Sequence, residues 1–317
     1  MEKTYKDWIE IWLENKKYYI KESTYASYAN NIYNYVIPIL GNYKLSELNH
    51  NLIQDYVLEL SQHGRKRDQK GLSNKTIKDT IMVVKSTIHA AVNEHLITPF
   101  DLKFNYPKED FKKSISTLNN VQQRRLTKYL VNNLNYKNLG ILLSLYTGMR
   151  IGEVCALKWG DINYSKETIS VNKTLQRIYL MDNKVSKIVI SSPKTKNAIR
   201  EIPISKKFLS ILRRMKKSSN CYILSGTPEF IEPRSYRRYY SKILKINKIP
   251  QINYHSLRHT FATNCISIGT DYKTVSEILG HSNIDITLNL YVHPNLKEKK
   301  KCIELISKIL SNQIDIN

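Results

Sequence analysis

The chain has 317 residues, with 50 Lys and Arg against 27 Asp and Glu and a formal net charge of +23. That length suggests about two domains with a sizeable core. So large a basic excess favours a polyanionic partner, nucleic acid before membrane, and weighs against a merely solvated basic surface.

The four cysteines, Cys155, Cys221, Cys265 and Cys302, are scattered and form no Cys-x-x-Cys pair. This argues for free thiols in a reducing cytosol rather than a disulfide frame or a zinc site. The N-terminus carries acids and lacks the apolar run of a signal peptide, and no stretch approaches the roughly 20 apolar residues of a membrane span. A cytoplasmic protein with no membrane partner is expected.

The first hundred residues read as helical. Trp8, Ile9, Trp12 and Leu13 recur at helical spacing. Ser23 or Thr24 is the expected cap of a second helix, carrying Tyr25, Tyr28, Ile32 and Tyr35 and stopping near Pro38 and Gly41. Leu52, Ile53, Tyr56, Val57 and Leu60 mark a third helix. A polar stretch from His63 to Gly71 reads as a loop. Ser73 or Asn74 then opens a long helix bearing Ile77, Ile81, Val84, Ile88 and Val92. Between Pro99 and Ser116 the pattern lapses into a charged linker.

Asn119 with Gln122 has the form of a capping box and starts the second domain. Helices through Leu126 and Leu130, and through Ile141, Leu142, Leu145 and Tyr146, follow. From Asp161 to Ile204 the pattern changes to strands, at Thr168–Val171, Lys187–Ile190 and Arg200–Ile204. Pro203 points to a sheet edge or a strand end. Beyond that the chain reads as helical, with breaks near Gly226, Pro250, Gly269, Gly280 and Pro294. The expected fold is mainly α with a small antiparallel β-sheet: a helical domain over 1–105, a linker over 106–116, and an α+β domain over 117–317 with a tail helix.

Four short motifs stand at element boundaries in the second half. They are Thr147-Gly148-Met149-Arg150-Ile151-Gly152-Glu153, Pro193-Lys194-Thr195-Lys196, His255-Ser256-Leu257-Arg258-His259 and Leu279-Gly280-His281-Ser282. Ten residues after His281 comes Tyr291. In order they supply Arg, Lys, His, Arg, His and Tyr. A phosphodiester under attack gathers charge on its non-bridging oxygens, and fixed cations and donors must balance it. Arginine suits this because its planar fork binds phosphate bidentately and stays charged. Arg150 and Arg258 are therefore candidate phosphate ligands, with a surface ion pair as the alternative for each. Glu153, one turn after Arg150, either orients a neighbouring cation or forms a helix-stabilising pair. His255 and His281 are candidate donors or proton carriers. His259 is expected to face away from His255 and to be structural.

This ordered set resembles the catalytic set of the tyrosine recombinases, the phage-type integrases in particular. Ser23-Thr24-Tyr25-Ala26-Ser27-Tyr28, Ile37-Pro38-Ile39-Leu40-Gly41 and Leu72-Ser73-Asn74-Lys75-Thr76-Ile77 resemble the core-binding domain of the same family. The resemblance implies a helical core-binding domain and a catalytic domain that clamp a duplex from opposite sides. The small arm-binding domain that begins many phage-type integrases is expected to be absent, since the core-binding pattern starts almost at Met1.

The resemblance implies that Tyr291 is the nucleophile, forming a 3′-phosphotyrosyl bond and leading to exchange through a Holliday junction. It makes Lys194, the first lysine after the proline, the general acid, with Lys196 as rival. Neither cofactor nor metal is expected. A zinc site of His255, His259 and His281 would lack both the metalloprotease Glu and a suitable Cys. The implied partners are double-stranded attachment sites, a homotetramer on synapsed DNA, and an accessory directionality or DNA-bending protein. Arg234, Arg237, Arg238, Lys242 and Lys245 share one side of an expected helix and are candidate DNA contacts, as are Lys66, Arg67 and Lys70. The tail helix, with Cys302, Ile303, Leu305, Ile306, Ile309 and Leu310, packs either on its own domain or on a neighbouring protomer. A type IB topoisomerase and a non-catalytic DNA-binding protein are the rival readings.

Overall fold

The structure is a computed structural model that describes residues 3–65, 70–108, 116–181, 185–193, 195–284, 288, 300 and 303–304. It divides into two compact units. One comprises Met1–Lys113 with Arg177–Val189, the other Ser114–Gln176 with Ile190–Asn317.

The first unit is built on helices. In α1 (Tyr5–Lys16) a reciprocal box fixes the start: the Asp7 amide donates to Thr4 Oγ1 at 3.2 Å, and the Thr4 amide to Asp7 Oδ2 at 3.1 Å. Its buried stripe is Tyr5, Trp8, Ile9, Trp12 and Leu13. The next helix, α2 (Glu22–Asn31), is not capped by Ser23 or Thr24. The Lys21 carbonyl already accepts from the Tyr25 amide at 3.0 Å, so both hydroxyls fall inside the first turn.

The chain does not stop at Pro38 either. A wide π-type turn (Ile32–Val36) leads into α3 (Ile37–Leu40), which ends at Gly41. Pro38 lies at the start of that last segment, where its missing N–H costs little. Helices α4 (His50–His63) and α5 (Asn74–Asn93) are capped by Asn49 and Ser73, whose side chains accept from Leu52 and Thr76 amides.

The core unites Trp8, Ile9, Ile53, Tyr56, Ile77, Val84 and Ile88, all at 2% exposure or less. Burying each such side chain is worth about 1.5–3 kcal/mol. Polar groups inside it are paired: Trp8 Nε1 donates to the Thr87 carbonyl at 3.0 Å, and the Tyr5 hydroxyl bonds Thr87 Oγ1 at 2.6 Å. The returning segment Arg177–Val189 is joined to the same unit. Lys187 pairs with Glu22 at 2.9 Å, the Asn30 amide donates to the Tyr179 carbonyl at 3.3 Å, and Met181 packs on the core.

In the second unit the expected box closes at α6 (Asn120–Asn132), with Asn119 and Gln122 exchanging bonds of 2.9 and 3.0 Å. Helix α7 (Tyr136–Thr147) is buried along most of its length, and α8 (Ile151–Ala156) follows after a tight turn. Five strands come next: β1 (Ile162–Asn163), β2 (Thr168–Val171), β3 (Thr174–Leu180), β4 (Val185–Ser191) and β5 (Arg200–Pro203).

These strands make two small sheets rather than one. β1, β2 and β5 form an antiparallel sheet in that order, with Ile162 opposite Ile169 and Ile169 opposite Ile202. β3 pairs with β4. Pro203 sits both at the end of β5 and on the sheet edge, opposite Thr168, where no ladder donor is required. Helices α9 (Lys206–Met215), α10 (Pro233–Ile246), α11 (His255–Ser267) and α12 (Tyr272–Leu279) complete the described fold. The Ser144 and Tyr254 hydroxyls meet at 2.7 Å where α7 packs on α11. No helix among the described residues is long and apolar enough to cross a membrane.

Candidate active site

Two left-handed glycines shape the site. Gly148, at φ +66°, ends α7 and turns the chain so that Arg150 immediately precedes α8. Gly280, also at φ +66°, ends α12 and delivers His281. Each lies against a neighbouring segment. A Cβ on Gly148 would stand 2.5 Å from Leu279 Cδ2, and one on Gly280 would stand 2.9 Å from the Asn197 carbonyl oxygen.

Around these turns the charged groups gather. Arg150 donates Nη1 to Glu153 Oε1 at 2.8 Å, its backbone N–H to Glu153 Oε2 at 2.8 Å, and Nη2 to the Gly280 carbonyl at 3.2 Å. Glu153 thus holds Arg150, as the sequence suggested, but it also holds a second arginine. Arg200 reaches both carboxylate oxygens, at 2.9 and 3.1 Å, and donates Nε to the Ile278 carbonyl at 2.6 Å and Nη1 to the Ala198 carbonyl at 3.1 Å. Burial pushes the Glu153 carboxyl up. The Arg200 hydrogen bonds and charge, with the charge of Arg150, outweigh burial and hold it below the ordinary range.

On α11, His255 and Arg258 occupy the first turn. Arg258 is buried and donates Nη1 to the Gly148 carbonyl at 3.1 Å, so it reaches the turn that carries Arg150. His281 is buried. Its imidazole is driven down to about 3, first by burial and then by the positive charges of Arg258 and Arg150, with His255 and Arg200 adding to them. The same causes, burial ahead of His259, Arg258 and Arg150, lower His255. Arg150, Arg258, His255 and His281, drawn from three separate motifs, therefore surround one another. One expectation fails here. His259 does not face away from His255: their rings meet edge to face at 4.6 Å, because residues four apart stand one above the other on a helix.

A cleft of about 330 Å³ opens beside this group, lined by Arg150, Glu153, Thr174, Pro193, Thr195, Ala198, Gly280 and Ser282. Pro193 and Thr195 flank Lys194 in sequence. Lys194, Tyr291, Lys66 and Arg67 themselves lie outside the described residues. Such a cleft presents preset cations and donors to an oxyanion. Among the described residues no group of three His, Cys, Asp or Glu side chains is placed to hold a metal ion. On α10, Arg234, Arg237, Arg238, Lys242 and Lys245 are all exposed, opposite the buried Tyr236, Tyr240, Ile243 and Leu244.

Residues 113–298 match the phage integrase family, and residues 4–61 match the SAM-like N-terminal domain of phage integrases. The chain belongs to the phage integrase family. It is a tyrosine recombinase, one of the enzymes that break and rejoin DNA. A tyrosine recombinase XerC-like protein of Caldanaerobacter subterraneus subsp. tengcongensis is 29% identical over 315 residues, covering 91% of this chain and 78% of that protein. The ICEBs1 integrase of Bacillus subtilis is 28% identical over 268 residues, covering 76% of this chain and 68% of its own length. The fold is also that of the Tn1549 transposon integrase, solved in complex with a circular-intermediate DNA, at a TM-score of 0.74 and 21% identity, covering 94% of this chain and 99% of that one.

Within this integrase-family fold, sequence reasoning missed Arg200, which it read only as a strand residue. A signal was available: an arginine opens an apolar strand whose neighbours, Ile202 and Ile204, are buried. It also passed over α9, whose Lys206, Lys207, Arg213 and Arg214 are exposed with no acid on the helix to offset them.

Proposed function

We propose that this chain is a site-specific integrase of a mobile element, acting in the cytoplasm on double-stranded DNA with Tyr291 as nucleophile. The observation that carries the reading is the convergence of Arg150, Arg258, His255 and His281 on one cationic cleft. In the proposed reaction the scissile phosphate lies between the two guanidinium groups. The Tyr291 phenolic oxygen attacks phosphorus and forms the new O–P bond. The bond from phosphorus to the 5′ oxygen breaks, and that oxygen takes its electron pair and a proton from Lys194. The phenolic proton passes to a neutral imidazole. His281 suits that task, since burial and its cationic neighbours keep it unprotonated near neutrality.

The 3′-phosphotyrosyl link conserves the phosphoester bond, so no nucleotide is consumed. A 5′ hydroxyl from a partner duplex attacks in reverse, and a second round resolves the Holliday junction. Exchange between two duplexes cuts four strands, which calls for a tetramer of identical protomers. An accessory protein that bends DNA or sets direction fits the same scheme. The exposed cations of α10, together with Lys66 and Arg67, are proposed to hold the flanking phosphates.

The decisive experiment uses Tyr291→Phe on a nicked suicide substrate. DNA binding is expected to persist and the covalent adduct to vanish. An undiminished adduct, or one mapped by peptide analysis to another tyrosine, overturns the reading. Sequence-independent relaxation of supercoils by a monomer would point to a type IB topoisomerase instead.

A further inference from the structure

Arg200 occupies a position that the recombination chemistry of Arg150, Arg258 and Tyr291 does not explain. It is almost buried, with a side chain 6% exposed, whereas the Arg150 side chain is 36% exposed. Both share the single carboxylate of Glu153, itself 3% exposed. Two guanidinium groups thus face one carboxylate, and one positive charge is left over. The geometry decides where that charge lies. Arg200 takes both carboxylate oxygens, at 2.9 and 3.1 Å, from the buried side. Arg150 keeps one side-chain bond to Oε1 and turns the rest of its fork to the Gly280 carbonyl, beside the cleft.

The same residue grips the end of α12. Its Nε donates to the Ile278 carbonyl at 2.6 Å, where the helix presents its partial negative charge. Its stem packs so closely on Gly280 that a Cβ there would lie 3.0 Å from Arg200 Cδ. The residue delivered by this turn is His281. One buried side chain from β5 therefore fixes α8 through Glu153 and the His281 turn through Ile278.

We propose that Arg200 is a positioning residue: it neutralises Glu153 so that Arg150 remains a net cation toward the scissile phosphate, and it fixes the turn that presents His281. This inference rests on the reading of Arg150 as a phosphate ligand. Without Arg200, the Glu153 carboxylate has only Arg150 to pair with and draws its charge away from the cleft.

The test compares Arg200→Gln, Glu153→Gln and the double variant in single-turnover cleavage of a suicide substrate, with DNA affinity measured alongside. Arg200→Gln is expected to slow cleavage roughly tenfold or more while affinity changes by less than about threefold, because the lost interaction acts on the transition state. Glu153→Gln introduced beside it removes the competing carboxylate and restores most of the rate. A merely structural arginine would give no such rescue. A parental rate for Arg200→Gln, or a double variant no faster than that single variant, overturns the proposal. If circular dichroism shows Arg200→Gln unfolded, the comparison moves to Arg200→Lys with and without Glu153→Gln. The same rescue is then expected, and its absence is equally decisive. Arg150→Ala serves as the control for the parent reading. If it cleaves normally, the phosphate-ligand assignment fails. If it is inactive while Arg200→Gln is normal, only the positioning role fails.

Discussion

Arg258 donates Nη1 to the carbonyl of Gly148 at 3.1 Å, so the second arginine motif braces the turn that presents the first. That turn tolerates no side chain. At φ +66°, an added Cβ would meet Leu279 Cδ2 at 2.5 Å and Phe261 Cδ1 at 2.7 Å. Gly148→Ala is expected to cost roughly 1–3 kcal/mol of stability, through left-handed strain and overpacking together. Urea denaturation measures that loss. Cleavage at a temperature where the variant is still folded should also fall, since Arg150 moves with the turn. An unchanged unfolding midpoint would show that the turn relaxes freely.

His281 makes the protein sensitive to acid in a defined direction. The native state holds its imidazole down at about 3 against an ordinary value of 6.5. Below 6.5 the unfolded chain takes up a proton that the native chain refuses, so stability is full above that pH and falls as the pH drops toward 3. A loss of about 1–2 kcal/mol is expected between roughly pH 7.5 and pH 5. His281→Asn should reduce the slope. A slope unchanged by the substitution would assign the acid sensitivity to other groups. Bound phosphate favours the imidazolium, so DNA binding should take up protons in this range, which calorimetry in buffers of different ionisation enthalpy detects.

The lysine assignment is separable by leaving-group chemistry. Lys194→Ala should slow cleavage of ordinary DNA by roughly a hundredfold or more, the usual contribution of a general acid. A substrate with sulfur at the bridging 5′ position needs no such acid and should recover most of the rate. Lys196→Ala should matter less. The reverse ranking moves the role to Lys196.

Helix α10 makes an electrostatic prediction. If Arg238 and Lys242 each contact a phosphate, changing either to Gln should lower the slope of log affinity against log salt by about 0.9 per contact on duplex DNA. The loss should be similar on target and random sequence, because phosphates carry no base identity. An unaltered salt slope would remove these residues from the interface.

Much of this architecture was legible because it rests on local chemistry. Thr147-Gly148 and Leu279-Gly280 announce helix ends, and both are left-handed helix caps. Asn119 with Gln122 announces a helix start, and the reciprocal bonds form. What escaped the sequence depended on packing. In β3 the buried residues Leu175 and Ile178 are three apart, which hides the strand's alternation. Pro38 looked like a stop, but a π-type turn just before it carries the helix on to Gly41. Arg200 escaped because its partners, Glu153 and Ile278, lie 47 and 78 residues away. His259 was misdirected by treating it as structural before asking which helical face it shares with His255.

The assignment of Arg177–Val189 to the first unit bears on how the protein is made. Lys187 and Glu22 are 165 residues apart, and Tyr179 and Asn30 are 149 apart. A ribosome releases the five N-terminal helices long before it releases the segment that joins them. Those helices must hold together through their own core while the chain lengthens, and the late segment then docks on a surface already formed. Pairings of such long range are slow to form. Pulse-labelled nascent chains arrested before and after this segment should therefore differ in protease resistance at the N-terminal helices, with the last gain in protection arriving only once Lys187 has cleared the exit tunnel.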